Sequence, residues 1–260
     1  MPSFDRYIGI DYSGAQTPTS SLKGLRVYVA DQRSLPTEVP PPPSPRRYWS
    51  RRGVAEWLVD RLTEGVPTLV GIDHGFSFPL AYFESYGLQR SWPVFLDDFQ
   101  NHWPADEDKV TVDCIRFFQK RSGCFRQVNT RWRRLTEKRT GSAKSVFHFD
   151  AKGSVAKSTH AGLPWLRYLR HRVSAYTHFW PFGGWDIPAG HSAIVEVYPR
   201  LWSGDYPQEH RTADQHDAYS VAAKLRCLDL AGHLLGLFDP ALTPQEREVA
   251  AIEGWILGAT

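Results

Sequence analysis

The amino-acid sequence predicts an α/β fold with one core. Two apolar segments of strand character, residues 6–11 and 68–73, each end in an aspartate. Apolar side chains recur at helical spacing in residues 53–64 and 217–235, which predicts two amphipathic helices. A third strand-like segment, residues 192–198, stops at a proline. Because strands and helices alternate at both ends of the chain, we expect a single α/β core.

The N-terminal part also predicts a second strand that returns beside the first. Residues 25–30 have strand character and follow a turn at residues 13–15. Residues 39–45 form a loop, because proline removes hydrogen-bond donors and fixes φ. Residues 47–49 are compatible with a short edge strand.

The middle of the chain, residues 75–190, is predicted to decorate this core within one domain that spans residues 1–260. It is rich in basic residues, tryptophan and glycine, and its periodicity is weaker. Helices are expected over residues 95–101, 110–119 and 162–174.

The last predicted helix has a clear start. Thr243 can cap it, Pro244 fits the first helical position and Glu246 completes a capping box. We expect this helix to run to about residue 257.

Composition excludes several classes of protein. The 260 residues are 42% hydrophobic and carry a formal net charge of +3, which is ordinary for a globular protein. The sequence has no run of 18 apolar residues and no signal-peptide pattern at its start, so we expect neither a membrane span nor secretion. The three cysteines lack metal-ligand spacing, which favours reduced thiols in a cytoplasmic protein.

Four acidic residues are the candidate catalytic groups. Asp11 and Asp73 each end a strand, and Glu196 lies inside an apolar one. Asp217 opens a predicted helix, with Asp214 one turn earlier on the same face. Carboxylates brought together at the tips of strands repel each other unless a cation lies between them.

A divalent metal ion would explain this pattern. Hard oxygen ligands suit Mg²⁺ or Mn²⁺ better than zinc. Such ions can activate a water and stabilise the leaving oxygen in phosphodiester hydrolysis. The sequence therefore predicts a metal-dependent site on these acids.

Structural roles are open alternatives for each acid. Asp11 and Asp73 could bond to the turns that follow them. Glu196 could pair with a buried arginine, and Asp217 could be a helix N-cap.

The segments that carry these acids resemble the ribonuclease H-like superfamily and, more narrowly, the DUF429 family of predicted nucleases. The resemblance lies in residues 8–15, 71–79, 195–199 and 216–223, which occur in the expected order. It implies a mixed five-stranded sheet flanked by helices, with the long basic insertion added to it.

The same resemblance implies roles for the acids. Asp11, Asp73 and Asp217 would be the metal ligands, and Glu196 would be an accessory acid beside them. The sequence departs from the family pattern at His74, where a small residue is more common.

The basic middle suggests a nucleic-acid partner, DNA or RNA. Residues 116–139 contain nine Lys and Arg against one acid, with aromatic residues interleaved. Positive charge with flat stacking faces is typical of a nucleic-acid surface, and Arg131, Arg133 and Arg134 are its candidate contacts. The alternative is a solvated face whose cations pair with acids elsewhere.

Residues 151–159 fail the phosphate-loop pattern, because both required glycines are alanines. The polar segment around them still makes Lys157 and His160 candidates for contact with a phosphate, and His160 a candidate for proton transfer.

Three functions remain open at this point. The first is a metal-dependent phosphodiesterase acting on DNA or RNA. The second is an ATP-dependent phosphotransferase of the sugar kinase and actin type, suggested faintly by residues 11–14 and 73–75. The third is a non-catalytic nucleic-acid-binding protein.

Overall fold

The computed structural model of the chain describes residues 3–42, 47–122, 126, 128–151 and 153–260. The end of the proline-rich loop predicted for residues 39–45 lies outside these ranges.

A mixed sheet of six strands forms the centre of the fold. The strand order is β3-β2-β1-β4-β6-β5. Strands β1, β2 and β3 pair antiparallel, whereas β1, β4, β6 and β5 run parallel to one another. The strands are β1 Arg6–Asp11, β2 Arg26–Asp31, β3 Thr37–Glu38, β4 Thr68–Asp73, β5 Thr177–Phe179 and β6 Ser192–Glu196.

Nine α-helices occur among the described residues, and they cover both faces of the sheet. Helices α1, α3 and α6 pack together on one face, and α7 crosses β1 and β2 on the other. The helices are α1 Arg51–Thr63, α2 Leu80–Ser85, α3 Trp92–His102, α4 Val112–Ser122, α5 Leu135–Thr140, α6 Ala156–Val173, α7 Ala213–Leu230, α8 Leu234–Phe238 and α9 Pro244–Glu253. The predicted α/β class is therefore confirmed.

Several boundaries differ from the sequence prediction. The edge strand is β3 rather than residues 47–49, and β5 adds a sixth strand from the middle region. Helix α9 stops at Glu253 instead of residue 257, because Gly254 takes a φ of +79° that ends a right-handed helix.

Two glycines let α7 lie unusually close to the sheet. Gly9 of β1 and Gly71 of β4 are register partners in neighbouring strands. A Cβ on Gly9 would lie 2.2 Å from the carbonyl oxygen of Ala218, and a Cβ on Gly71 would lie 2.7 Å from Cγ1 of Val221. The helix therefore rests directly on the backbone of the two central strands.

The C-terminal end of α7 also holds the start of the chain. The carboxylate of Asp229, which is 3% exposed, accepts hydrogen bonds from the backbone N–H groups of Ser3 and Phe4. It also accepts a bond of 2.8 Å from the hydroxyl of Tyr7 in β1. Asp229 thus connects α7 both to the backbone just before β1 and to the side chain of Tyr7 within β1.

Among the described residues, no helix combines the length and the apolar character needed to span a membrane.

We expect Gly9→Ala to destabilise the protein by about 3 kcal/mol, because the added methyl group meets a backbone oxygen that cannot rotate away. Urea unfolding measures the change. Gly236→Ala in α8 is the matched control, since its Cβ would meet open space. Equal stability of the two variants would show that α7 does not depend on this contact.

Candidate functional site: a carboxylate-lined cleft

Asp11 and Asp73 lie side by side at the carboxyl ends of two parallel strands. They are the last residues of β1 and β4 and are partners in the register of the sheet. Both residues are half-buried. Ligands of open α/β sheets bind beyond the carboxyl ends of the strands, so this edge is the expected place for a site.

A buried arginine holds the turn that follows Asp11. Arg51 of α1 is 0% exposed and donates from Nη1 to the carbonyl oxygens of Ala15, at 2.6 Å, and Ser13, at 3.1 Å. Its Nη2 donates to the carbonyl oxygen of Gln16, at 3.0 Å. Three carbonyls thus bind this guanidinium and fix the turn next to the acidic edge.

Helix α7 brings further acids to the same edge. Thr212 caps the helix and Gln215 completes the capping box, so Asp217 lies in the second turn and is not the N-cap. Its side chain lines the cleft described below. Asp214 lies close to the turn after β1, where its Oδ2 would be 3.6 Å from a Cβ on Gly24.

Burial and mutual repulsion weaken these acids. Burial raises the pKa of Asp11 well above its ordinary value, and the negative charges of Asp73, Asp214 and Asp217 raise it further. The pKa of Asp73 is raised to about 8, by burial first and then by the charge of Asp217. Burial also raises the pKa of Asp217, and the charge of Asp214 adds to the effect. In the absence of a cation, these carboxyl groups therefore favour their protonated forms.

A cleft of about 470 Å³ opens beside these acids. Asp73 and Asp217 lie on its wall, and Asp11 adjoins Asp73 from the neighbouring strand. The other lining residues include Tyr12, His74, Arg134, Glu137, Lys144, Ser154, Ser158, Glu196, Tyr198, Arg200 and Ser203. The volume lies within the range of roughly 300–1,000 Å³ that is typical of small-molecule sites.

Glu196 is bound to a buried arginine, which is the structural alternative left open above. Its Oε1 accepts from Nη2 of Arg134 at 2.5 Å, and its Oε2 accepts from Nη1 at 2.7 Å. Oε2 also accepts from the backbone N–H of Phe76 at 3.0 Å. Glu196 borders the cleft, but its oxygens are engaged, so its contacts do not support the predicted catalytic role.

Arg134 was predicted to bind substrate, and its contacts do not support that role. The residue is 1% exposed, and its Nε donates to Glu137 at 2.9 Å in addition to the pair with Glu196. Burial opposes its charge, but the two carboxylates outweigh that effect and raise the pKa of Arg134. Arg134 borders the cleft, but its guanidinium is engaged in joining α5 to β6.

His160 lies in the core and not in the cleft, so its position does not support the predicted phosphate contact or proton transfer. It is 1% exposed, its Nδ1 bonds to the carbonyl oxygen of Ala156, and its ring lies 4.5 Å from that of Trp103. Burial lowers the pKa of His160 to about 3, so the ring is neutral within the aromatic core. It does not line the cleft.

Lys157 lies near the cleft but is paired elsewhere. Its Nζ donates to Asp113 at 2.7 Å. Its backbone carbonyl touches the turn after β1, since a Cβ on Gly14 would lie 2.2 Å from that oxygen. The first turn of α6 is therefore pressed against the turn that follows Asp11.

His74 replaces the small residue common in the family pattern, and it fills space. The residue is 2% exposed, and its Nδ1 bonds to the carbonyl oxygen of Gly75. A Cβ on Gly162 of α6 would lie 2.4 Å from Nε2 of His74. Burial lowers the pKa of this ring to about 4, so it stays neutral at physiological pH.

Most described cations of the basic middle are engaged in contacts within the protein. This agrees with the alternative to a nucleic-acid surface, in which the cations pair with acids elsewhere. Arg133 donates to the carbonyl oxygens of Glu137 and Ala143, whereas the exposed Arg131 has no carboxylate partner among the described residues. The side chains of Lys120 and Arg121, together with Lys152, lie outside the described part. The ion pairs are Arg116–Asp150, Arg126–Asp98, Arg134–Glu137, Arg134–Glu196, Arg139–Glu246 and Lys157–Asp113.

Several cleft residues were not singled out from the sequence. Tyr12, Tyr198, Lys144 and Arg200 all line the cleft. Tyr12 and Tyr198 lay within segments already quoted for the resemblance, and Arg200 follows directly after one of them. A rule that extends each strand-end motif by two residues would have found Arg200.

The acidic edge suits a divalent cation by its chemistry. Asp11, Asp73 and Asp217 offer hard oxygen donors, and a bound cation would offset the burial and mutual repulsion that raise their pKa values. Within the described ranges, no three His, Cys, Asp or Glu side chains are grouped closely enough to hold a metal ion as they stand.

Comparison with known proteins adds no assignment. The chain matches no protein-family model, no curated protein and no solved structure. The resemblance to DUF429 stays a prediction, and any argument on function rests on the cleft itself.

We expect the metal-free protein to lose stability as pH rises from about 4 to about 8. The pKa of Asp73 is raised in the folded state, so folding favours the protonated form and its advantage disappears as the carboxylate ionises. One such group gives a slope of at most about 1.4 kcal/mol per pH unit. Urea unfolding in EDTA measures it. Asp73→Asn should flatten the slope, and an unchanged slope would contradict the assignment.

We expect Glu196→Gln to cost roughly 3 kcal/mol of stability, because it removes one of the two carboxylates that compensate the buried Arg134. Glu84→Gln breaks an exposed pair with Arg90 and should cost less than about 1 kcal/mol. Thermal unfolding compares the two variants. A normal melting curve for Glu196→Gln with complete loss of activity would instead favour a catalytic role.

Proposed function

We propose that this chain is a metal-dependent phosphodiesterase that acts on DNA or RNA, with Mg²⁺ or Mn²⁺ as its cofactor. The observation that carries the proposal is the register pairing of Asp11 with Asp73 beside a cleft that Asp217 also lines. The mixed sheet with helices on both faces is compatible with the ribonuclease H-like arrangement that the sequence resembles.

Asp11, Asp73 and Asp217 would hold the metal. When bound, the cation supplies an activated water and charge stabilisation at a phosphoryl oxygen. Asp73 and Asp217 line the cleft, and Asp11 lies beside Asp73 at the end of the neighbouring strand. Arg51 fixes the turn after Asp11, which limits the positions that this carboxylate can take.

The shape of the cleft suits a phosphate ester better than a large apolar ligand. Its lining combines carboxylates, hydroxyl groups and three cationic side chains, of which Arg134 is already paired with carboxylates. A phosphate bound beside a cation on the acids would meet the hydroxyl groups of Ser154 and Ser203 on the remaining wall. This mixture of donors around one acidic edge supports phosphoryl chemistry.

Neither of the other functions gains a specific observation. The paired state of most described cations in the basic middle gives no support to a protein that only binds nucleic acid. No feature of the described cleft favours a nucleotide-dependent phosphotransferase over a hydrolase.

We expect Asp11→Asn and Asp73→Asn each to lower phosphodiester hydrolysis by at least about 100-fold, since the metal supplies several kcal/mol of transition-state stabilisation. Bis(p-nitrophenyl) phosphate and labelled single-stranded DNA and RNA serve as substrates with Mn²⁺. Calorimetry should show Mn²⁺ binding to the wild-type protein and weaker binding to both variants.

Asp60→Asn is the matched control, because Asp60 is an exposed acid on α1, away from the cleft. It should retain wild-type activity and wild-type binding of Mn²⁺. Absence of Mn²⁺ binding to the wild-type protein, or hydrolysis that EDTA does not reduce, would overturn the proposed function.

A further inference from the structure

Both acidic and basic side chains line the cleft. Asp73 and Asp217 form its acidic side, and Lys144 and Arg200 contribute cations elsewhere on the lining. Arg200 lies in a short 3-10 turn, Pro199–Leu201, which follows β6 directly. The position at the end of a central strand places its guanidinium at the same edge of the sheet as the acids.

Arg200 differs from the other arginines of this region. It is exposed, and among the described residues no carboxylate lies within ion-pair distance of it. Arg134, in the same lining, is buried between Glu137 and Glu196. Arg200 is therefore a cleft guanidinium with its donors available, and guanidinium groups bind phosphate through two parallel hydrogen bonds.

The surroundings of the cleft argue against a long duplex. Proteins that hold duplex DNA through its backbone commonly make about 6–10 phosphate contacts. Five basic residues of the described middle region are instead tied to carboxylates. A volume of about 470 Å³ with one available guanidinium fits a compact ligand that carries its own extra phosphate.

We propose that Arg200 binds a phosphate group next to the scissile phosphate, and that the substrate is the phosphorylated end of a short or single-stranded nucleic acid. This inference rests on the proposed phosphodiesterase function. Arg200 is a specificity residue in it, because it touches the neighbouring phosphate and not the reacting one. The acids and their metal would act on the linkage that Arg200 positions.

A pair of thymidine dinucleotides, one with a 5′-phosphate and one without, tests the inference. The wild-type protein should hydrolyse the phosphorylated dinucleotide with a kcat/KM about 10–100-fold higher, the range expected for hydrogen bonds between charged groups. Arg200→Ala should remove this preference, so that the two dinucleotides are hydrolysed with similar kcat/KM. Arg200→Lys should keep part of it, since lysine retains the charge but not the paired donors.

Arg172→Ala is the matched control. Arg172 is an exposed arginine stacked on Tyr168, near the opposite end of α6 from the cleft, about 24 Å along the helix. It removes the same charge and should keep the full preference. An equal preference in Arg200→Ala and wild type would overturn the inference while leaving the phosphodiesterase intact.

Binding separates failure of this inference from failure of the proposed function. In an Asp73→Asn background, calorimetry should show about 10-fold tighter binding of the phosphorylated dinucleotide, lost when Arg200→Ala is added. If this binding pattern is found but the wild-type protein hydrolyses neither dinucleotide, the phosphate subsite is supported and the proposed hydrolase function is rejected. Binding of neither dinucleotide, or binding that ignores Arg200, would overturn the inference.

Discussion

The close approach of α7 to the centre of the sheet is the constraint on which the site depends. Gly9 and Gly71 place no side chain between their strands and the helix, so α7 approaches the two central strands closely and its second turn reaches their ends. Asp217 could not line the same cleft as Asp73 if a side chain on either glycine pushed the helix outward. Small residues in the core thus set the spacing of acidic residues at the edge.

A second constraint acts from the opposite side of the cleft. Arg134 is bonded to Glu137 in its own helix, to Glu196 in β6 and to the carbonyl oxygen of Glu253 at the end of α9. Removing charges from water is costly, and this cluster recovers the cost through short bonds that satisfy most of its polar atoms. It connects the middle region and the end of α9 to the central strand β6, and this holds one wall of the cleft in place.

The sequence predicted the parts of the fold that local pattern controls. Strands β1, β4 and β6 and the capped start of α9 were predictable, because apolar runs and capping residues act over a few positions. The partner of Glu196 was not, since Arg134 lies 62 residues away and nothing local distinguishes it from Arg131 or Arg133. Strand β5 was missed because three residues are too short for a pattern. The same limit applies to the basic region, where composition showed the cations but not the acids that neutralise them.

The bonds from Asp229 to Ser3, Phe4 and Tyr7 have a consequence for the order of folding. The segment before β1 and the hydroxyl of Tyr7 in β1 gain these bonds only after a helix that is synthesised more than 200 residues later has formed. Contacts so distant in sequence slow folding, because a long loop must close before they form. On the ribosome, the β1–β2 hairpin would therefore remain an incomplete and exposed edge until almost the entire chain had emerged, and the acidic site would be among the last features to assemble.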